Sequence, residues 1–251
     1  MTTNYQRFAD LTFAGFKELA VTDGLSRYER IGFPDAYRAG READILRDIR
    51  SKLTNLEARN RTVLDIGPGC SDLPAYLIDH CCWGEHEHEL ILCDSAEMLA
   101  HLPDSPRIVK RPGRFPCDFP TTEYAGQVDA ILVYSVLQYV FVEGSVFDFV
   151  DACLELLAPE GQLLIGDIPN VSKRKRFFGS EEGARFHREF TGSAGRPDVW
   201  FNVVERSKID DAVVMAILAR ARAAGFDAHV MPQAPDLPMA NRREDILITR
   251  P

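Results

Sequence analysis

The sequence predicts an α/β protein: a doubly wound, mostly parallel sheet with helices on both faces, preceded by a helical N-terminal segment. Three observations predict it. Short β-branched and apolar runs recur at 62–66, 89–94, 107–110, 128–134 and 162–167, with helix-period stretches between them. The first run passes straight into a glycine turn and a helix start. Two further runs, 226–231 and 245–249, follow each other with only an irregular loop between them, which brings the strands to seven.

Each element has its reason. Residues from about 4 to 53 read as helices broken at Thr22-Asp23-Gly24 and Gly32-Phe33-Pro34, with Leu46, Ile49 and Leu53 at helical spacing. We take 1–55 as a helical lid and 56–251 as the α/β domain. Within the latter, Val146, Val150, Cys153, Leu154 and Leu157 share one helix face, and Pro159-Glu160-Gly161 ends that helix before the fifth strand. Ile209, Val213, Val214, Ile217 and Leu218 mark a last helix that stops near Gly225.

The stretch Thr62-Val63-Leu64-Asp65-Ile66-Gly67-Pro68-Gly69-Cys70-Ser71-Asp72-Leu73 carries the functional signal. A strand, an acid and two close glycines before a helix let backbone approach a nucleoside ligand with no Cβ in the way. A dinucleotide pyrophosphate fits poorly: Pro68 removes an N–H donor, and Asp72 puts a carboxylate where the fingerprint has its third glycine. A cationic ligand fits better. The second strand ends in Asp94, at the spacing that places an acid on ribose hydroxyls.

With Asp65, Gly67 and Gly69 in this order, the chain resembles the class I S-adenosylmethionine-dependent methyltransferases, although Ser71 stands where many members have a third glycine. The resemblance covers roughly residues 62–250 and implies S-adenosylmethionine as cofactor and an antiparallel last strand. It implies a cofactor site made of Asp65, Gly67, Gly69 and Ser71; the ribose acid Asp94 with Ser95 and Met98; Gly113, Arg114 and Phe115 at the adenine edge; and Ser135 and Val136 beneath the sulfonium. The segment 128–140 matches the family's fourth motif without the Asn/Asp-Pro-Pro-Tyr/Phe signature of base or glutamine methylation. The implied activity is methyl transfer to a small polar acceptor, with an oxygen of a sugar or hydroxy acid preferred.

Acceptor recognition is expected in an insertion at about 168–208, which mixes Phe177, Phe178, His187, Phe190, Trp200 and Phe201 with the basic run Lys173-Arg174-Lys175-Arg176. That run reads either as a solvated turn or as a site for an anionic group on the acceptor. His187 is the first base candidate because imidazole titrates near neutrality, Asp167 the second, and Tyr134 a further catalytic candidate. No metal is expected: His80-Cys81-Cys82 and His86-Glu87-His88 follow no recognised ligand spacing.

Composition narrows the class further. A net charge of −9 over 251 residues argues against nonspecific nucleic-acid binding, which needs a basic face. No apolar run reaches bilayer length, the N-terminus lacks a signal core, and six cysteines without a paired spacing read as reduced thiols, so a cytoplasmic protein is expected. Oligomeric state is not legible. Two other functions stay open: a nicotinamide-dependent oxidoreductase, and a noncatalytic S-adenosylmethionine-binding protein.

Overall fold

The computed structural model describes Phe8 and residues 11–251. Residues 1–7, 9 and 10, which include the N-terminal stretch read as lacking a signal core and the start of the expected lid, lie outside the described residues. Among the described residues the sheet has seven strands: β1 (Thr62–Ile66), β2 (Glu89–Asp94), β3 (Ile108–Pro112), β4 (Val128–Tyr134), β5 (Leu157–Pro169), β6 (Asp227–Pro232) and β7 (Arg243–Thr249). Their order is β3-β2-β1-β4-β5-β7-β6. The first five pair in parallel, and β7 runs antiparallel to both β5 and β6. The expected doubly wound sheet with an antiparallel last strand is therefore the fold observed.

Period-two alternation explains how both faces are covered. Leu64 and Ile66 of β1 and Ile131 and Val133 of β4 face a layer that includes α9 (Val146–Leu156) and α12 (Asp211–Ala223). Val63, Ala130 and Leu132 face the opposite layer, made by α4 (Glu42–Lys52) and α5 (Asp72–Ile78). The segment read as a lid thus divides. Ile45, Ile49 and Leu53 of and just after α4 are buried against the sheet, whereas α1 (Phe13–Val21), α2 (Arg27–Arg30) and α3 (Asp35–Arg38) lie at the carboxyl ends of the strands.

The basic run is not a turn. Asn170 accepts hydrogen bonds from the backbone N–H groups of Ser172 and Lys173 and so starts α10 (Val171–Phe178), which carries all four cations. Each has a partner within the protein: Lys173 the Arg243 carbonyl, Arg174 and Lys175 the Glu205 carboxylate, Arg176 that of Asp211. No helix among the described residues is long and apolar enough to cross a membrane. All six cysteines are free thiols, five of them buried.

Candidate functional site

The principal cleft opens at the carboxyl ends of β1, β2 and β4, where the strand order reverses between β1 and β4 and the fold leaves a crevice. Its volume is about 950 Å³, mouth included. Gly67, Gly69 and Ser71 form its floor, Asp94 and Met98 one side, Gly113, Arg114 and Phe115 the far end, and Tyr134, Ser135 and Val136 the near wall. Four segments separated by as many as 69 positions in the chain therefore converge on one cavity.

The glycine turn is built for close approach. Gly67 has φ +72° and Gly69 φ +65°, both left-handed, and a Cβ at Gly67 would fall 2.6 Å from Val136 Cγ2. Gly67→Ala is expected to force Val136 into the cleft, destabilise the fold by about 1–2 kcal/mol and weaken nucleoside binding at least tenfold. A melting curve and a titration with the nucleoside would check both effects. A variant that binds like wild type would show that the turn does not seat the ligand.

The charges around this turn suit a cation. Asp65, at the end of β1, is 4% exposed, and burial together with the neighbouring Asp94 pushes its carboxyl up to about 8. Asp94 is pushed to about 6 by burial, although the N–H groups of Ser95 and Gly69, at 2.6 and 3.0 Å, favour its ionised form. Glu42 on α4 is 1% exposed, and neither carboxylate oxygen has a hydrogen-bond partner among the described residues. Its nearest cation is Arg38 at 3.7 Å, and burial raises its carboxyl above the ordinary range. Three carboxyl groups held out of water beside a glycine turn disfavour an anion there.

Some residues singled out in the sequence do not line this cleft. Asp65 sits behind its floor, and Ser95 is occupied as the cap of α6 (Ala96–Leu99), its hydroxyl accepting from Met98 N–H at 3.2 Å. His187, on α11 (Glu181–Thr191), borders a separate cavity with Phe178 and Trp200. Asp167 reaches a smaller cavity that shares Arg38 and Tyr134 with the main cleft. The covering residues Phe13, Phe16, Ile31, Phe33 and Arg38 come from α1–α3 and the turns between them. Phe16 packs edge-on against Tyr139 at 4.8 Å, and Glu143 accepts a hydrogen bond from Phe13 N–H and pairs with Arg114 at 3.4 Å. Sequence reasoning had no signal for Glu42, Arg38 or Glu143, because charged residues on short helices read as solvated.

The ends of β4 and β5 form the most constrained part of the wall. Ser135 (φ 62°) and Asp167 (φ 59°) both adopt left-handed backbone that non-glycine residues rarely take, and the β5–β7 register slips between Ile165 and Ile168. The slip turns the Asp167 side chain toward Ser135, whose hydroxyl donates to Asp167 Oδ2. Arg38 donates to both Ser135 Oγ and Asp167 Oδ2, the latter at 3.2 Å, and Arg243 donates to the Asp167 carbonyl at 2.8 Å and to Oδ2 at 3.0 Å. The Arg38 guanidinium stacks 4.5 Å over Phe33.

The one group of three metal-capable side chains within 4.8 Å among the described residues, Glu57, His80 and His86, lies at the opposite end of the strands. Arg50 holds Glu57 through two hydrogen bonds of 2.6 and 2.8 Å, and His80 Nε2 and His86 Nδ1 contact backbone carbonyls at 2.9 Å. His88 is fully buried, accepting from Arg61 N–H and contacting the Leu56 carbonyl, each at 3.0 Å. These histidines tie the start of β1 to the start of β2.

No protein-family model and no curated protein matches the chain in sequence. Solved structures do match in fold. The chain is similar to the CurJ carbon methyltransferase (17% identity, TM-score 0.56, covering 97% of this chain and 65% of that one). It is similar to the N-methyltransferase NodS from Bradyrhizobium japonicum WM9, solved with S-adenosyl-L-homocysteine (14% identity, TM-score 0.54, covering 96% and 100%). It is also similar to the plantazolicin methyltransferase BamL, solved with a triazolic desmethylPZN analogue and SAH (13% identity, TM-score 0.54, covering 86% and 87%). The fold is that of the class I methyltransferases.

Proposed function

We propose that this chain is an S-adenosylmethionine-dependent methyltransferase that acts on a small polar molecule, at an oxygen of a sugar or hydroxy acid. The observation that carries the reading is the cleft itself: paired left-handed glycines, a ribose acid at the end of β2 and buried carboxyls beside the turn, in a sheet whose antiparallel β7 distinguishes it from a dinucleotide fold. In this site Asp94 takes the ribose hydroxyls, and Gly113, Arg114 and Phe115 border the adenine. Asp65, whose ionised form a cation entering the cleft favours, sets a negative field at the methionine end.

The chemistry follows from the cofactor. When bound, the cofactor's sulfonium would supply an electrophilic methyl carbon to the acceptor oxygen and a neutral thioether as leaving group. The hydroxyl proton passes to Asp167, which borders the smaller cavity beside the cleft and already accepts from Ser135. His187 lines a different cavity and has no part in this step. Residues of α1–α3 keep water from the methyl group by covering the cleft.

Calorimetric titration with S-adenosylmethionine, S-adenosylhomocysteine and NADH tests the reading, with Asp94→Ala as the variant. Micromolar binding of the first two, lost in the variant, is the expected result. Preference for NADH would replace methyl transfer with the oxidoreductase reading.

A further inference from the structure

The cavity beside the main cleft is walled by Phe33, Tyr134, Leu237 and Met239, and two guanidiniums, Arg38 and Arg243, face it together with the single carboxylate of Asp167. Arg38 is 6% exposed, and the side chain of Arg243 is 13% exposed. Two buried cations against one anion leave a positive charge that this pocket does not balance. Outside the lining, Glu42 stands 3.7 Å from Arg38 and is biased toward its neutral form by burial, and Asp245, which accepts from Asp167 N–H at 2.8 Å, is paired with Lys52 at 2.7 Å. Lys173 donates to the Arg243 carbonyl at 2.5 Å and has Glu244 and Asp245 as its own counter-charges.

The hydrogen bonds show where an anion would enter. Among the described residues, Arg243 makes its side-chain bonds through Nη1 alone, both to Asp167, which leaves Nε and Nη2 without a protein acceptor. A guanidinium with one edge unused is prepared for the two parallel bonds that a carboxylate accepts. Asp167 meanwhile collects three donors on one oxygen, Oδ2, from Ser135, Arg38 and Arg243. Its other oxygen, Oδ1, takes no hydrogen bond among the described residues and keeps its lone pairs for a proton.

We infer that Arg243, through its unused Nε–Nη2 edge, and Arg38 bind a carboxylate on the methyl acceptor and so place its hydroxyl beside Asp167. The inference rests on the methyl-transfer reading and narrows it from sugars or hydroxy acids to acids, with an apolar or aromatic body against Phe33, Leu237 and Met239.

The test uses the full chain saturated with S-adenosylhomocysteine and titrated with two acid–amide pairs: 4-hydroxybenzoate against 4-hydroxybenzamide, and lactate against lactamide. Charge-assisted pairing predicts that at least one acid binds about ten- to a hundredfold more tightly than its amide. Arg243→Gln is expected to erase the preference, Arg243→Lys to keep part of it, and Arg174→Gln, whose partner is Glu205 on the exposed insertion, to leave it unchanged. Retained S-adenosylhomocysteine binding and an unchanged melting curve show that the variants fold. Equal binding of acids and amides, no binding of either acid, or a preference that survives Arg243→Gln overturns the inference while methyl transfer stands. Failure of S-adenosylhomocysteine to bind wild type strikes the methyl-transfer reading itself.

Discussion

Asp65→Asn is expected to stabilise the protein at pH 8 while removing most of its affinity for S-adenosylmethionine. The carboxyl lies at the end of β1, pushed up to about 8 by burial and by Asp94, and no hydrogen bond to it compensates among the described residues. In the unfolded chain it titrates near 3.8, so the folded value is the raised one. Its contribution to stability is then complete below about pH 4 and is lost as pH climbs toward 8, on the order of a few kcal/mol. Asparagine removes the charge and nearly keeps the shape, so the variant should melt several degrees higher at pH 8, at about 2–4 °C per kcal/mol, and by a clearly smaller margin at pH 5. A shift of equal size at both values would mean that packing, not ionisation, is responsible. Binding moves the other way. A sulfonium and an ammonium entering the cleft favour the ionised carboxylate, so wild type should release close to one proton per ligand at pH 7. Calorimetry in buffers of different ionisation heat reads that proton directly. In Asp65→Asn the release from this group should vanish and affinity fall by about a hundredfold.

The same residue shows what was legible in the sequence. Asp65, Gly67, Gly69 and Asp94 could be found because each answers a local backbone demand: a strand end, two left-handed turns, a second strand end. Ser135 and Val136 could be placed at a strand end for the same reason. Arg38, Glu42 and Arg243 could not. Each is one charged residue among many, on short helices or an inner strand, and only tertiary packing puts Arg38 and Arg243 on Asp167 across 129 and 76 positions of chain. The basic run 173–176 misled for the opposite reason. Its density suggested a ligand site, but a cap at Asn170 winds it into a helix whose cations find acids or carbonyls within the protein. Helical periodicity at 46–53 identified an amphipathic helix but not what it covers; Ile49 and Leu53 cover the sheet. The loop 232–242 contributes Leu237 and Met239 to the smaller cavity beside the cleft, a placement that no periodicity encodes.

Lys52→Met should be the most destabilising single substitution, with a loss of about 3–5 kcal/mol. Lys52 donates to Asp48 at 2.5 Å and to Asp245 at 2.7 Å, and Asp245 is wholly buried. Methionine fills much of the volume but leaves two carboxylates without their cation. Burial already raises the Asp245 carboxyl, and Lys52 is the largest influence lowering it, so removal of the lysine raises it further. The consequence has a definite sign. A group raised in the fold loses its stabilising contribution as pH increases, so the variant's deficit should be greater at pH 8 than at pH 5, whereas a packing defect would not change. Adding Asp245→Asn should recover part of the loss. The damage should also be selective in function. Asp245 Oδ1 accepts from Asp167 N–H at 2.8 Å and from Gln233 at 3.0 Å, so it fixes the slipped turn that aims Asp167 at Ser135. The glycine turn and Asp94 take no bond from this network. At temperatures where the variant remains folded, cofactor affinity should therefore stay within a few-fold of wild type while methyl transfer falls at least tenfold. A parallel fall in both would show that the buried lysine supports the whole cleft rather than its acceptor wall.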